Sequence, residues 1–198
     1  MKIGLTGSIA CGKSTVSSYL KQHGCDIVDA DALSRALTAP GGRALPALFR
    51  AFGCGVFDGM RLDRKALGQL VFENPDKLRQ LNAILHPMIL EEIDAEMNTL
   101  DGPGRVVIGD VPLLFECGME KKFDQIWVVS APRAVQIDRL FARDGLTREE
   151  AERSIDAQMP LEEKIRRADA VIDTDGSFEY TQRQVKLLLD SLNKRRLP

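Results

Sequence analysis

Residues 2–15 read Lys-Ile-Gly-Leu-Thr-Gly-Ser-Ile-Ala-Cys-Gly-Lys-Ser-Thr, and this stretch decides the fold. Residues 7–14 satisfy the pattern G-x-x-x-x-G-K-[ST], directly after an apolar run and directly before a segment with helical periodicity. Glycines let successive backbone N–H groups turn towards phosphate oxygens, and the start of the helix adds its positive dipole end. The stretch therefore predicts a strand, a phosphate-binding loop and a helix, and we call residues 7–14 the P-loop.

The P-loop side chains are expected to divide the work of holding a nucleoside triphosphate. We expect the Lys13 amino group to reach the β- and γ-phosphates, the Ser14 hydroxyl to bind Mg²⁺ and Thr15 to contact the α-phosphate. Cys11 is either a thiol whose pKa the helix start lowers or a small filler residue, and we favour the filler. The residues predicted to bind ATP here are Gly7, Ser8, Ile9, Ala10, Cys11, Gly12, Lys13, Ser14 and Thr15.

Along the rest of the chain, short apolar runs alternate with longer segments of helical periodicity. This alternation is typical of a parallel sheet with crossover helices, so the predicted class is α/β with a P-loop kinase core. The predicted strands are residues 2–6, 26–29, 105–109, 125–130 and 170–173. The predicted core helices are residues 13–23, 132–143, 148–158 and 177–194. Thr147 and Glu150 have the spacing of a capping box and set the start of the third helix.

The second and third predicted strands are separated by about seventy residues, far more than the dozen or so of a simple crossover. We therefore expect an insertion at about 36–102, and a core of residues 1–35 and 103–198. Its predicted helices are residues 63–72, 75–85 and 87–100, with turns at 40–42 and 58–59. His86-Pro87 is expected to be a joint between two helices, because proline breaks a helix interior.

Composition limits the partners. The 27 basic and 29 acidic side chains give a formal net charge of −2, which disfavours a nucleic-acid partner. The four cysteines are scattered, which argues against zinc and a disulfide framework. The sequence shows neither a signal peptide nor a run of roughly 20 apolar residues. We expect a soluble cytoplasmic protein without a membrane partner, either a monomer or a weak homo-oligomer.

Carboxylates follow the second and third predicted strands, where a doubly wound sheet binds its ligands. Of Asp29 and Asp31, one is a candidate general base near an acceptor hydroxyl, and the other is a candidate to bind a water molecule on Mg²⁺. The alternative is that one of them only caps the following helix. Asp110 is a candidate carboxylate near Mg²⁺, and Glu116 is a candidate for orienting a substrate group.

Gln136, Arg139 and Arg143 recur at helical spacing after the fourth predicted strand, with the two arginines on one face. Such a pair can fold over a triphosphate and stabilise charge on the transferring group. A solvated helix face is the alternative for either arginine alone. We therefore predict a lid at about 139–165, with Arg139 as a catalytic residue and Arg143 as an ATP-binding residue.

Several motifs in this order resemble the dephospho-coenzyme A kinase family over nearly the whole chain. The resemblance implies a core, a helical substrate domain and a lid. It also implies transfer of phosphate from ATP to the ribose 3′-hydroxyl of dephospho-coenzyme A, the last step of coenzyme A biosynthesis. The motifs are Leu5-Thr6-Gly7, Asp29-Ala30-Asp31, Leu62-Asp63-Arg64, His86-Pro87, Pro112-Leu113-Leu114-Phe115-Glu116, Gln136 with Arg139 and Arg143, and Ala168-Asp169 with Val171-Ile172-Asp173.

The resemblance also implies roles for single residues. Asp31 would be the base that engages the acceptor hydroxyl, and Arg64 and His86 would belong to the acceptor pocket. The other substrate-binding residues that we expect are Pro112, Leu113 and Glu116.

Two stretches depart from the family pattern. The P-loop has Ser8-Ile9-Ala10-Cys11 where the family more often has a second glycine and then Gly-Ser, and residues 173–176 read Asp-Thr-Asp-Gly where Asp-Asn-x-Gly is usual near the nucleotide base.

Two other functions stay open at this point. A kinase of another small metabolite or nucleotide would share the sheet and the P-loop. The insertion with Arg64 and His86 is the feature that distinguishes a dephospho-coenzyme A kinase from such a kinase. A non-catalytic nucleotide-binding switch would have no small acceptor. Guanine-specific switches usually carry Asn-Lys-x-Asp, whereas Asn193-Lys194 is followed by Arg195-Arg196. The sequence therefore favours a kinase.

Overall fold

The structure is a computed structural model that describes residues 1–194, without the side chains of Glu73, Asn193 and Lys194. Arg195 and Arg196 lie outside the described residues. The strands are β1 (Lys2–Gly7), β2 (Asp26–Asp29), β3 (Phe57–Asp58), β4 (Arg61–Leu62), β5 (Val107–Asp110), β6 (Gln125–Ser130) and β7 (Ala170–Asp173). The α-helices are α1 (Lys13–Gln22), α2 (Ala30–Leu37), α3 (Leu45–Phe52), α4 (Arg64–Glu73), α5 (Pro75–Leu100), α6 (Arg133–Asp144), α7 (Arg148–Asp156), α8 (Leu161–Arg166) and α9 (Phe178–Lys194).

One sheet of five strands has the order β2-β5-β1-β6-β7, and β3 and β4 pair as a separate antiparallel hairpin. The central strand β1 pairs in parallel with β5 and β6, and β6 pairs in parallel with β7. Ile3, Leu5 and Trp127 are fully buried, as expected for apolar strands in the interior of a parallel sheet. The predicted α/β class is confirmed, and the carboxyl end of the central strand leads into the P-loop.

The chain divides into two compact units. The core unit contains Met1–Val28 and the chain from Thr99 onwards, and the inserted unit is Asp29–Asn98. In the inserted unit, a small apolar core of Leu37, Ala44 and Leu48 packs against side chains from α3, α5 and the hairpin. The functions predicted for these regions, acceptor binding at about 36–102 and a lid at about 139–165, stay predictions. Within residues 1–194, no helix is both long and apolar enough to span a membrane.

The largest error of the sequence analysis concerns α5. His86-Pro87 was predicted to separate two helices, but one helix runs from Pro75 to Leu100 with Pro87 inside it. Proline removes one backbone donor, yet apolar side chains on both sides of it, such as Leu81 and Ile89, pack against the core of the inserted unit. The packing therefore holds the helix together across the missing hydrogen bond.

The sequence analysis also missed short elements. It did not identify α2, α3 and α8, which have only eight, eight and six residues and so show little periodicity. The turn predicted at 58–59 exists, but it joins the two-residue strands β3 and β4. Among the predicted strands, residues 26–29, 125–130 and 170–173 have the observed bounds, whereas β5 begins only at Val107.

Candidate active site

The P-loop connects β1 to α1, and its backbone requires glycine at two positions. A Cβ atom on Gly7 would lie 2.5 Å from the Cys11 sulfur and 2.6 Å from the Val129 carbonyl oxygen. Gly12, which precedes α1, has a φ of 84°, in the left-handed region that glycine tolerates. Both invariant glycines of the motif are therefore required by the geometry of this loop.

Two glutamines hold the Ile9 peptide groups. The Gln136 amide nitrogen donates to the Ile9 carbonyl oxygen at 2.7 Å. The Gln158 amide oxygen accepts from the Ile9 N–H at 2.8 Å and from the Ser8 hydroxyl at 3.2 Å. Gln158 follows α7, in the segment predicted as a lid, and the sequence analysis did not identify it as a site residue. Nothing in its sequence neighbourhood marks it, because its partners lie about 150 residues away along the chain.

Arg139 and Thr174 hold the next two carbonyls of the P-loop. The Arg139 guanidinium donates to the Ala10 carbonyl oxygen at 3.1 Å, to the Thr174 hydroxyl at 3.1 Å and to the Thr174 carbonyl oxygen at 2.7 Å. The Thr174 hydroxyl in turn donates to the Cys11 carbonyl oxygen at 2.7 Å. Thr174 stands where the family usually has asparagine, and here it ties β7 to the P-loop.

These contacts orient the loop's donors. In a planar trans peptide the carbonyl and the following N–H point in opposite directions. Because Ile9 and Cys11 turn their carbonyls towards Gln136 and Thr174, the N–H groups of Ala10 and Gly12 point to the opposite side of the loop. This is the arrangement that presents backbone donors to an anion.

Lys13 pairs with Asp110 at the carboxyl end of the neighbouring strand β5, and the Lys13 amino group contacts one carboxylate oxygen of Asp110. Asp110 is 6% exposed, so its charge is almost removed from water and needs this partner. The pairing places the predicted carboxylate beside the predicted phosphate-binding lysine.

A cavity of about 520 Å³ opens beside the P-loop in the core unit. Ser14, Thr15, Arg139 and Arg143 all line it. The Arg143 guanidinium also donates two hydrogen bonds to the carboxylate of Asp144, from Nε at 2.9 Å and from a terminal nitrogen at 2.7 Å. These hydrogen bonds lower the pKa of the Asp144 carboxyl group. The two arginines predicted for the lid therefore differ, because Arg139 is bound to the P-loop and Arg143 to its own neighbour.

Cys11 behaves as the filler residue of the two alternatives. It is 1% exposed, and burial raises the pKa of its thiol despite the nearby charge of Lys13. The alternative of a lowered thiol pKa is wrong, because desolvation outweighs the helix start.

Asp29 and Asp31 have different environments in the inserted unit. Asp29 caps α2, since one of its carboxylate oxygens accepts the N–H groups of Asp31 at 2.8 Å and Ala32 at 3.0 Å. Asp31 lies in the first turn of that helix and is exposed. Its carboxylate makes no hydrogen bond or ion pair to any residue that the structure describes. Of the two, Asp31 is therefore the carboxylate available for a substrate.

Arg64 and His86 also belong to the inserted unit. Arg64 begins α4, and its guanidinium donates to the Arg35 carbonyl oxygen at 3.1 Å and to the Thr38 hydroxyl at 2.7 Å. His86 lies half-buried in the middle of α5. Arg64 is exposed, and these contacts use one of its two terminal nitrogens.

The segment after β5 brings the predicted residues Pro112, Leu113 and Glu116 close to a lysine that the sequence analysis missed. Lys164, in α8, is fully buried, and its amino group lies 2.8 Å from a Glu116 carboxylate oxygen. It also donates to the carbonyl oxygens of Gly7 at 3.2 Å and Pro112 at 3.5 Å. Leu113 is 38% exposed. A lysine in a short, charged helix shows no sequence signal of burial, so only the structure reveals this contact.

A protein-family model for dephospho-CoA kinase matches residues 1–179. The chain belongs to this family. Curated family members support the assignment. A dephospho-CoA kinase of Symbiobacterium thermophilum is 48% identical over 93% of this chain and 78% of its own length. One of Geobacillus kaustophilus is 43% identical over 98% of this chain and 99% of its own length.

Two solved structures have the same fold over nearly the whole chain. The Campylobacter jejuni dephospho-CoA kinase has a TM-score of 0.76 and is 28% identical, with all of both chains covered. The protein TT1252 of Thermus thermophilus has a TM-score of 0.83 and is 40% identical, with 97% of each chain covered. A shikimate kinase of Aquifex aeolicus, at 19% identity and a TM-score of 0.52, shares the P-loop kinase fold alone.

Proposed function

We propose that this chain phosphorylates the ribose 3′-hydroxyl of dephospho-coenzyme A with ATP and so produces coenzyme A and ADP. The observation that carries the proposal is a complete P-loop, held by side chains from several other segments, in a chain of the dephospho-CoA kinase family. The protein is a phosphotransferase of coenzyme A biosynthesis, and its proposed partners are dephospho-coenzyme A and ATP.

On the donor side, the P-loop N–H groups and Lys13 bind the triphosphate. Lys13 neutralises charge on the transferring phosphoryl group, as lysines of P-loops do. Because Lys13 also pairs with Asp110, a bound phosphate would share the lysine with this carboxylate. Arg139 holds the loop in shape, and its fixed positive charge stabilises the transition state. Arg143 and Thr15 line the cavity that would take the rest of ATP.

The residues beside the P-loop fit Mg²⁺, which binds hard oxygen ligands and phosphates. The Ser14 hydroxyl is exposed and makes no hydrogen bond to the described residues, so it is an available oxygen ligand. Asp110 supplies a second hard oxygen nearby, at the end of β5. When bound, the cation would neutralise charge on the β- and γ-phosphates.

On the acceptor side, the proposed base is Asp31. The acceptor's 3′-oxygen forms a bond to the γ-phosphorus, its proton passes to the Asp31 carboxylate, and the bond from the γ-phosphorus to the bridging oxygen breaks to release ADP. Arg64 and His86 are proposed to bind the acceptor, with Arg64 presenting its remaining donors to an anionic group. Glu116, Pro112 and Leu113 are further proposed substrate-binding residues.

The test is an ADP-release assay with ATP, Mg²⁺ and one acceptor at a time. We expect dephospho-coenzyme A to be phosphorylated far faster than AMP, adenosine or shikimate, with coenzyme A identified as the product by mass spectrometry. Faster turnover of another acceptor would favour the second candidate, a kinase of a different metabolite. ATP binding without turnover of any acceptor would favour the non-catalytic switch.

We also propose a cytoplasmic location, no nucleic-acid partner, and a monomer or weak homo-oligomer. Among residues 1–194, no disulfide joins the cysteines, which suits a reducing compartment. Light scattering over a range of protein concentrations would test the oligomeric state, and a stable high-order assembly would contradict the proposal.

A further inference from the structure

Lys164 is a fully buried ammonium group inside the core unit. Burying an isolated charge is costly, so its partners must satisfy it. An ammonium group has three donors, and Lys164 has three acceptors: the carbonyl oxygens of Gly7 and Pro112 and a carboxylate oxygen of Glu116. Gly7 is the last residue of β1, whereas Pro112 and Glu116 lie in the segment after β5 and are both proposed substrate-binding residues.

The contacts connect the P-loop to the segment after β5 through one atom, the Lys164 amino nitrogen. Gly7 is the first residue of the P-loop, so its carbonyl sets where the loop leaves the sheet. The Glu116 oxygen that contacts Lys164 also accepts the Met159 N–H at 3.1 Å. The second Glu116 oxygen makes no hydrogen bond to the described residues. Glu116 is therefore held by one oxygen, which leaves the other for a substrate group.

We propose that Lys164 is a positioning residue for phosphoryl transfer, which sets the origin of the P-loop and the orientation of Glu116 together. The inference rests on the proposed function and adds a residue to it. Lys164 does not touch the reacting atoms, because no part of its side chain is exposed. It acts through the Gly7 carbonyl and through the Glu116 carboxylate.

Stability alone is a weak reason for such a residue. Replacement of a buried ion pair by apolar side chains of similar volume is often neutral or stabilising. The ion pair could then be replaced at little cost if Glu116 loses its charge as well, and the remaining cost is the donor lost by the Gly7 and Pro112 carbonyl oxygens. A charge is needed here only if the loop and the carboxylate must be held in one geometry. Measuring both the stability and the rate of Lys164 variants therefore distinguishes a positioning role, which affects the rate, from a purely structural role, which affects stability alone.

The experiment compares Lys164→Met, Glu116→Gln and the double variant Lys164→Met/Glu116→Gln with the wild type. We expect Lys164→Met to lower kcat about 10–100-fold, since small misplacements near the reacting groups have effects of this size. The dissociation constant of ATP should change much less than kcat, because the phosphate-binding donors remain. The double variant should recover most of the thermal midpoint that Lys164→Met loses, but not kcat.

The matched control is Arg166→Met, which removes an exposed cation from the same helix. We expect this variant to keep the wild-type rate. Wild-type kcat in a folded Lys164→Met protein, or recovery of both stability and rate in the double variant, would overturn the positioning role. If Lys164→Met does not fold, Glu116→Gln decides, because its side chain is 23% exposed and its loss leaves the core filled. Wild-type kcat in Glu116→Gln would then overturn the inference.

Rates are compared with whichever of dephospho-coenzyme A, AMP, adenosine and shikimate the wild type turns over fastest, or with basal ATP hydrolysis if it turns over none. A wild type that ignores dephospho-coenzyme A contradicts the proposed function. In that case, a lower rate of Lys164→Met than of the wild type, with Arg166→Met unchanged, still supports the positioning role. The two proposals can therefore fail separately.

Discussion

Ala10 has the backbone conformation least suited to its side chain. Its φ is 58°, and it is the sole non-glycine residue with a positive φ among residues 1–194. The left-handed region costs an L-residue about 1–2 kcal/mol, and the greater unfolded-state freedom of glycine offsets about 0.4–1 kcal/mol of this. We expect Ala10→Gly to raise the free energy of unfolding by about 0.5–1 kcal/mol in urea titrations.

The control is Gly12→Ala, which should lower the free energy of unfolding. Gly12 has a φ of 84°, and its added Cβ would lie 3.3 Å from the Thr174 hydroxyl oxygen. An Ala10→Gly protein less stable than the wild type would show that the contacts of Arg139 and Gln136 do not hold the loop in this conformation.

Lys13 is more than a phosphate ligand. A lysine in a solvated phosphate site would be lost without damage to the fold, but the structure pairs it with the buried Asp110. We expect Lys13→Met to lower turnover by about 10²–10³. It should also lower the free energy of unfolding by about 1–3 kcal/mol, since Asp110 loses its partner.

Urea unfolding and steady-state rates check both effects. The double variant Lys13→Met/Asp110→Asn should recover stability without recovering turnover. Near-normal turnover in a folded Lys13→Met protein would contradict the P-loop assignment.

Asp31 can be tested without a large effect on the fold, because its carboxylate makes no hydrogen bond or ion pair to the described residues. We expect Asp31→Asn to lower turnover by roughly 10²–10⁴ while ATP binding is retained. Acceptor affinity separates two causes. An unchanged dissociation constant with a lower bound-state rate indicates lost proton transfer, and a raised constant indicates lost positioning. Wild-type rate and affinity together would remove Asp31 from the mechanism.

At the scale of elements, the N-terminus of α7 shows how a local pattern predicts a structure. Thr147 and Glu150 form the predicted capping box, with both reciprocal hydrogen bonds present. The bonds from the Thr147 backbone and hydroxyl lower the pKa of the Glu150 carboxyl group. A carboxyl group whose pKa is lowered on folding stabilises the protein above its unfolded pKa, and this contribution is lost as pH falls through the folded value.

We expect Thr147→Ala to cost about 1 kcal/mol at neutral pH, since the hydroxyl satisfies a free N–H of the first turn. Glu150→Gln should keep the box, because glutamine also fits the motif, but should remove its pH dependence below the unfolded pKa of Glu150. Amide hydrogen exchange of α7 at neutral and acidic pH measures both effects. Equal acid sensitivity of the wild type and Glu150→Gln would contradict the prediction.

The long helix α5 shows the limit of local patterns. Pro87 is a strong helix-breaking signal in the sequence, and the structure overrides it. Side chains four residues apart along this helix, Leu81, Leu85 and Ile89, share one face and bury it in the inserted unit. Local rules describe the loss of one hydrogen bond, but they do not include the area that the helix buries on either side.

At the scale of the whole molecule, the reactivity of the four cysteine thiols measures how well each is buried in the folded protein. Cys54 is exposed and Cys117 half-buried, whereas Cys11 and Cys25 are buried. Burial raises the pKa of the Cys11 thiol. The pKa of the Cys117 thiol is also raised, mainly by burial and in smaller part by the negative charge of Glu116. Because thiolates are the reactive form, we expect fast modification of Cys54, slower modification of Cys117, and modification of the other two only on unfolding.

Reaction with a chromogenic disulfide, followed by peptide mapping, checks this order. The variant Cys54→Ser should lose the fast phase, and a higher pH should speed the slower one. Fast labelling of Cys11 in the folded protein would show that the P-loop opens readily.

Patterns confined to a few neighbouring residues determine much of this protein. The P-loop, the capping box of α7 and three strand bounds follow from the sequence, because loop geometry, capping and burial of a strand depend on residues close along the chain. The family also follows, because several motifs in a fixed order are more specific than any one of them. The place of Asp110 at the end of β5 also follows from the sequence, whereas its contact with Lys13 does not.

Only the tertiary structure decided how the P-loop is held. Gln158, Thr174 and Lys164 contact the loop from about 150 or more residues away, and their neighbours in sequence carry no sign of it. Likewise, Asp29 and Asp31 differ by two positions, and which one caps α2 depends on where β2 ends and the helix begins. Buried polar groups find partners across the fold, so their roles depend on packing between elements, which no local pattern contains.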